Sequence, residues 1–411
     1  MSLSARTRPG FRLIAATALG LTALTAFAAP ASAEVPAATP GSIPGAWIVT
    51  LDEGESPDRV SNEHARQHGA EVSHVYRHAL NGYAARMSEQ GAARVASDPR
   101  VASVERDKVI TAAQTTPTGI DRVDGELSTS NSGNGDGDVD VDVAVIDTGI
   151  DLKHTDLNVV GGTNCSTGTS YADGNGHGTH VAGTIGAKDD AEGVVGVAPG
   201  ARLHAVRVLD DAGSGAWSSI ICGVDWVTGN ASTIEVANMS LGGSGRDGSC
   251  TADALHNAIC KSVAAGVTYV VAAGNSKVDA KNFVPAAYDQ VITVSALADF
   301  NGLPGGGAAA TCRADRDDTF ADFSNYGADV DLIAPGVCIE STWLGGGYNT
   351  ISGTSMASPH VAGAAALYKA TNPVATSTQV KAALQGAGNT NWDNRDDRDR
   401  IKEKLLNVDA F

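Results

Sequence analysis

Beyond its first 33 residues, the 411-residue chain has no apolar run long enough to cross a bilayer. That excludes a membrane anchor in the mature product. Positive charge is also scarce, with 29 Lys and Arg against 47 Asp and Glu. Residues 1–33 carry three basic and no acidic side chains and residues 34–113 carry eight and eleven, so subtraction leaves 18 basic and 36 acidic in the remainder. A body this acidic is unsuited to nucleic acid or anionic lipid, but it can offer carboxylates to calcium. No cysteine precedes Cys165 and none has CxxC spacing, which argues against a zinc ribbon or a thioredoxin-like redox centre.

The amino terminus itself reads as a secretory signal. Arg6, Arg8 and Arg12 precede an apolar run over 13–28, and Ala31-Ser32-Ala33 supplies a small-x-small cleavage site, giving a signal peptide of 1–33. The run is shorter than the ~20 residues an anchor needs, and Thr17, Thr22 and Thr25 interrupt it. The product is therefore expected to be secreted and extracellular, and its six cysteines to form disulfides.

Residues 34–45 are rich in Pro, Ala and Gly and read as a linker. The following pattern predicts strand 46–51, helix 57–68, strands 71–76 and 82–86, helix 88–96 and strand 101–107, the βαββαβ order of a small α+β split-βαβ domain over 46–113. "TAAQTTPTG" then marks a boundary that is easily cut. In 114–411, strands are predicted at 141–146, 203–208, 236–239, 268–272, 291–296 and 330–334, and helices at 177–187, 217–229, 253–265 and 355–371. That alternation predicts an α/β fold with a mostly parallel sheet covered by helices on both faces, and its chemistry lies beyond the carboxyl ends of the strands.

Three residues fall at such ends. Asp147 closes the buried run in "VDVAVIDTGID", His177 opens the helix of "NGHGTHVAG", and Ser355 opens the helix of "SGTSMASPHVAG". Taken singly they read as a turn former, a structural histidine and an N-cap. Together they supply an orienter, a base and a nucleophile, with first-turn N–H groups beside the serine to receive an oxyanion. GTSMA lacks the second glycine of the GxSxG elbow, so a lipase reading is weak.

"VAVIDTGID", "GHGTHVAGT" and "SGTSMASPHVAGAAAL" resemble the signature blocks of the subtilisin-like serine proteases, and "AAGNS" at 272–276 resembles the family's oxyanion segment. The resemblance runs from about Thr115 to the C-terminus, and "KNFVP" at 281–285 is closer to the proteinase K-like branch. It implies a secreted serine endopeptidase working through a Ser-His-Asp triad and an acyl-enzyme on polypeptide substrates. It also implies Asn275 as an oxyanion donor, and Gly213, Ser214 and Gly215 as a strand that pairs with extended substrate. Trp217 and Ile220 would line the pocket for the fourth residue before the cut; Ser240, Leu241, Gly242, Ala272, Ala273 and Gly274 would wall the first, with a preference for apolar residues. His180 reads as structural.

By the same resemblance the small domain is an inhibitory propeptide and intramolecular chaperone of a self-processing preproenzyme. A cut after Ala113 would set Ile110 four residues back, against Trp217 and Ile220. "HTDLNVVGG" and "KDDAEGVVGV" are similar to the segments forming the strong calcium site of subtilisins. That implies Ca2+ held by side-chain oxygens of Asp156 and Asp190 and by carbonyls of Lys188, Glu192 and Val194. Subtilisin itself lacks cysteine, so the resemblance supplies no pairing. Of the fifteen pairings possible for six cysteines, Cys250–Cys260, Cys312–Cys338 and Cys165–Cys222 are expected. The mature chain is expected to be a monomer. A catalytically silent, subtilase-like binding protein is the alternative; a replaced triad member would favour it, and none is replaced. An esterase would not need the Gly213–Gly215 strand, and an acid-active Glu-Asp-Ser centre would not need His177.

Overall fold

The computed structural model describes residues 42–108, 114–135 and 137–411. The signal peptide, the linker up to residue 41 and the Ile110–Ala113 register lie outside the described residues. The described chain forms two compact units, one on each side of segment 109–113.

The first unit runs β1 (Ser42–Leu51), α1 (Pro57–His68), β2 (Glu71–Tyr76), β3 (Gly82–Arg86), α2 (Glu89–Ala96) and β4 (Val101–Lys108). Its antiparallel sheet has the order β2-β3-β1-β4, as the split-βαβ pattern predicts. Alternation puts Trp47, Val49 and Leu51 of β1 on the helix side, where they pack with Val60 of α1 and Val95 of α2. Ser56 and Ser88 cap the two helices by accepting the N–H of Arg59 and Gly91. β1 starts inside the stretch expected to be linker, because Ser42 pairs with Lys108 across a register shift.

In the second unit α3 (Thr118–Arg122) leads to β5 (Asp142–Asp147), β6 (Val159–Asn164), α4 (His177–Gly186), β7 (Arg202–Arg207), α5 (Trp217–Gly229) and β8 (Ile234–Met239). After them come β9 (Gly243–Ser244), α6 (Ala254–Ala264), β10 (Thr268–Ala272), β11 (Phe283–Val284), β12 (Ile292–Ala298), β13 (Thr319–Phe320) and β14 (Leu332–Pro335). The hairpin β15 (Ile339–Trp343) and β16 (Gly347–Ile351), α7 (Thr354–Thr371), α8 (Ser377–Ala387) and β17 (Lys404–Leu405) complete the unit. The main sheet has the order β17-β14-β12-β10-β8-β5-β7-β6 and is parallel throughout, with β13 antiparallel on β12.

Alternate side chains of β5 serve two cores. Val143 and Val145 face α4 and α7, while Ala144 and Ile146 face α5 and α6. From β5 the chain goes to β6 and β7 on one side and then to β8 on the other, so the strand order reverses there and opens a crevice at the carboxyl ends. Both Asp147 and Ser240 lie at that edge. The three expected disulfides are the ones formed, with S–S distances of 2.02, 2.06 and 2.01 Å.

Several elements differ from the sequence expectation. β6 was missed because Gly161 and Gly162 mask a strand; a Cβ at Gly162 would meet Ala205 O at 2.1 Å, so only glycine lets this edge close on β7. The β15–β16 hairpin and α8 were also missed, although the capping box of Thr376 and Gln379 advertises the helix. The C-terminal stretch, rich in Asn, Asp and Arg over 391–400, goes on to bury Leu405, Leu406 and Val408 completely. Among the described residues no helix is long and apolar enough to cross a membrane.

Candidate active site

β5 delivers Asp147 fully buried at its carboxyl end. One oxygen, Oδ1, accepts the Thr148 N–H at 2.7 Å and lies 2.7 Å from His177 Nδ1, while Oδ2 is buried without a partner. His177 is the first residue of α4, and the glycines around it have specific reasons. Gly176 has φ +109, and its Cβ would strike the Trp343 ring at 2.4 Å. A Cβ on Gly178 would sit 2.1 Å from Gly149 O and 3.2 Å from Asp147 Cβ, so bare backbone lets the helix start against the end of β5.

Asp173, which the sequence reading passed over, fixes the loop ahead of His177. Its Oδ1 accepts Thr148 Oγ1 and the N–H groups of Asn175 and Gly176, and its Oδ2 accepts Thr179 N and Oγ1, all at 2.6–3.0 Å. Its signal was the Asp placed before NGHGT, a side chain suited to a tight turn. Burial disfavours the His177 cation, but the charge and hydrogen bond of Asp147, with Asp173 behind, outweigh it and raise the imidazole pKa. His180, one turn on, is buried and donates from Nε2 to Ile339 O (2.9 Å) and Asn349 O (3.1 Å), as a structural histidine should.

Ser355 sits in the first turn of α7. Pro359 has no N–H to bond the Ser355 carbonyl four residues back, and Ser240 Oγ donates to that oxygen instead, at 2.8 Å. In return Ser355 Oγ donates to Ser240 O at 3.2 Å. Among the described residues no hydrogen bond joins this hydroxyl to His177, a contact that often tightens only with substrate. Asn275 Oδ1 accepts both the N–H and the hydroxyl of Thr354 at 2.9 Å, which commits the amide oxygen and leaves Nδ2 to donate. A Cβ built on Gly353 would lie 3.4 Å from Asn275 Nδ2 and 3.6 Å from Ser355 N, so two N–H donors border one small space. Such an arrangement can receive a developing oxyanion.

A groove of about 510 Å³ runs past His177, lined by Gly213, Ser214, Gly215, Trp217, Ile220, Ser240, Leu241 and Gly242. Asp210 Oδ1 accepts the Ala212 and Ser214 N–H groups and shapes the turn before that strand. Trp217 is 40% exposed and Ile220 only 5%, so the tryptophan forms the wall and the isoleucine the floor. Ala272 and Ala273 are buried and do not line this groove; they end a central strand, where small side chains let the sheet pack. Gly274 lies behind Phe283, whose ring would stand 2.5 Å from a Cβ on Gly242 and 3.0 Å from one on Gly274. Phe283 therefore fills the space between the Gly242 and Gly274 segments, packing behind the groove and not lining it directly.

The acidic turns also meet. Asp156 is 4% exposed; Oδ2 accepts the Val194 N–H at 3.1 Å, and Oδ1 is buried with no partner. Burial pushes its carboxyl up to about 7. Gln114 Nε2 lies 2.8 Å from Lys188 O and 3.4 Å from Val194 O. Asp190 Oδ1 accepts the Glu192 N–H at 2.8 Å. Sequence reasoning missed Gln114, because nothing local marks a residue that reaches the loop only by folding back through the Thr115–Val194 bridge.

Comparison with known proteins matches residues 138–400 to the subtilase family and residues 46–113 to the peptidase inhibitor I9 family. The chain is 43% identical over 270 residues to subtilisin DY of Bacillus licheniformis, covering 65% of this chain and 88% of that one. It is 44% identical over 326 residues to the extracellular serine proteinase of Thermus sp. (strain Rt41A), covering 77% and 73%. With alkaline serine exoprotease A of Vibrio alginolyticus it shares 38% identity over 372 residues, 87% of this chain but 64% of that protein's length. Among solved structures, a cold adapted subtilisin-like serine proteinase superposes with a TM-score of 0.58 at 38% identity, over 71% of this chain and 98% of that one.

Proposed function

The chain belongs to the subtilase family and is a serine endopeptidase with an I9-type propeptide domain, and from that premise we propose that Asp147, His177 and Ser355 carry its chemistry. His177 takes the Ser355 hydroxyl proton as Oγ attacks the scissile carbonyl, then returns it to the leaving amine; water activated by the same base releases the acyl-enzyme. Asp147 holds the proton on Nδ1 and stabilises the imidazolium. Asn275 Nδ2 and Ser355 N stabilise the oxyanion. The observation that carries this reading is the 2.7 Å Asp147–His177 contact at the mouth of the same groove that Ser240, the partner of Ser355, lines.

Extended substrate pairs with Gly213–Gly215, its fourth residue before the cut resting on Trp217 and Ile220. The first pocket, walled by Ser240–Gly242 with Gly274 and Phe283 behind, carries no charged side chain and favours apolar residues. The product is secreted as a precursor and cuts itself near Ala113, and its own N-terminal domain serves as chaperone and inhibitor.

The donor set at Asp156 suits a calcium ion: one buried carboxylate oxygen is orphaned, and carbonyls of Lys188, Glu192 and Val194, the Asp190 carboxylate and, after an amide flip, the Gln114 oxygen complete it. Bound calcium would supply charge balance and a cross-link between the two turns. EGTA is expected to lower the thermal midpoint by several degrees through loss of ligand linkage; an unchanged midpoint would remove the site. For the main reading, casein is given to wild-type precursor and to Ser355→Ala. Wild type should shed about 110 residues and digest casein, and the variant should stay full length and inert. If the variant is processed and active, Ser355 is not the nucleophile; if wild type too stays full length and inert, the binding-protein alternative takes its place.

A further inference from the structure

A second cavity adjoins the groove at Trp217, which lines both. It holds about 350 Å³, and its walls include Ile221, Leu255, Val284 and Tyr288, with Ala254 and Arg246 exposed at its rim. Tyr288 arrives with its polar end engaged: the hydroxyl lies 3.3 Å from both oxygens of Asp253, and the ring stacks on buried His256 at 3.9 Å. Such walls offer mainly apolar area to an incoming side chain.

The rim carries one charge that the fold leaves unused. Asp253 caps α6 by accepting the His256 N–H at 2.9 Å, and Asp247 Oδ1 lies 3.7 Å from His256 Nδ1, so both neighbouring acids are drawn to the start of α6. Cys250–Cys260 ties the loop between them to the same helix. Arg246 has no such tie. Among the described residues no hydrogen bond or ion pair engages its guanidinium, in a chain with 47 acidic side chains for 29 basic ones.

One segment edges both spaces. Ser240, Leu241 and Gly242 line the groove, and Ser244, Gly245 and Arg246 line the cavity. Between them Gly243 pairs with Val284 across β9 and β11. A Cβ on Gly243 would stand 2.9 Å from the Trp217 ring, and one on Gly245 would stand 2.5 Å from a Val284 methyl. Glycine at both positions lets bare backbone lie against the side chains that join the two spaces. In an extended chain, residues two apart project from the same face about 7 Å from each other.

We propose that this cavity is a further substrate subsite: it takes a large apolar side chain from the sixth residue before the cut, and Arg246 selects a carboxylate on the seventh. The assignment rests on the reading that Trp217 and Ile220 hold the fourth residue. A chain extended past Trp217 then brings its next same-face side chain to Leu255, Val284 and Tyr288, and the residue after that comes to Arg246, one step along the segment from Gly245. Binding energy gained so far from the scissile bond acts chiefly on KM. The substrate class is a polypeptide with an apolar residue upstream of the groove and an acidic one beside it, and not merely an apolar residue next to the cut.

The test uses quenched fluorogenic peptides that are identical from the fourth residue before the cut onward. They carry Ala, Leu or Phe at the sixth residue and Glu or Lys at the seventh, and a short peptide ends at the fourth. Each is given to the self-processed wild type, Arg246→Ala and Ala254→Phe, and ratios of kcat/KM are compared within each enzyme, so that a general loss of activity cancels. In wild type, Leu or Phe at the sixth position should exceed Ala about tenfold, and Ala254→Phe, which fills the cavity from its exposed rim, should bring that ratio to one. Glu should exceed Lys at the seventh about threefold at low salt, a preference lost in about 1 M NaCl and in Arg246→Ala. Equal rates for Ala, Leu and Phe in wild type, or a gain that persists in Ala254→Phe, overturn the subsite; a Glu-to-Lys ratio untouched by Arg246→Ala overturns the role of Arg246. Should Ala254→Phe not fold, Ala254→Leu replaces it under the same two outcomes. Failure of wild type to cut the short peptide would remove the reading of the groove itself, which separates that failure from failure of the subsite.

Discussion

Helices α4 and α7 lie against each other on one face of the sheet, and each begins with a residue of the candidate site. The two beginnings are built differently. His177 is gripped by charge, with Asp147 on its ring and Asp173 beneath its loop. Ser355 is held only by neutral bonds to Ser240 and by the amide framework of Asn275 and Thr354. A base must keep one tautomer and one orientation while it changes charge, which calls for a fixed anion; a nucleophile must leave its resting hydrogen bond to attack. The difference fits the division of labour proposed for the two residues.

Breaking the charged grip should cost most. Asp147→Asn is expected to lower kcat about 10,000-fold and to remove the upward pKa shift of His177. Because the imidazole must be neutral to act as base, the acid limb of the kcat/KM profile would move to lower pH in this variant; a limb that stayed put would dissociate Asp147 from the titration. On the α7 side, Asn275→Ala should lower kcat about 100- to 1,000-fold with little change in KM, a magnitude carried over from the matching donor of subtilisin. A loss shared equally with KM would mean that Asn275 binds substrate and not the transition state.

The smallest effect sharpens a likeness between the helices. Each carries a buried histidine, His180 in α4 and His360 in α7, whose pKa burial lowers to about 3 and about 4. A base neutral in the fold but free to charge when unfolded contributes stability that is whole above about pH 6.5 and is lost as pH falls toward the folded value. Urea unfolding of the Ser355→Ala chain should therefore weaken from about pH 6 to 4, by up to about 1.4 kcal/mol per histidine per pH unit. His180→Asn should flatten the slope; an unaltered slope would assign acid lability elsewhere.

Much of this was legible in the sequence because the informative residues stand at element ends. Glycine before His177, small residues along α7 and buried apolar runs each carry a local physical signal. What escaped was long-range. Gln114 reaches its carbonyls across 74 residues, and Phe283 packs behind Gly242 and Gly274 from a two-residue strand. Ala272 and Ala273, placed at the pocket wall by the family resemblance, have their side chains buried at the end of β10.

Pro359 has a further consequence. A proline in the interior of a helix normally costs stability and invites a kink, yet here the bond it deletes is replaced by one from the groove wall. The helix defect thus couples two parts of the sequence 115 residues apart, so that Ser240 of the groove wall and Ser355, the proposed nucleophile, are registered to each other directly. Restoring a backbone donor at position 359 would satisfy the ladder and leave the Ser240 hydroxyl no longer the sole partner of the Ser355 carbonyl. The flaw in the secondary structure acts as the alignment pin of the tertiary structure.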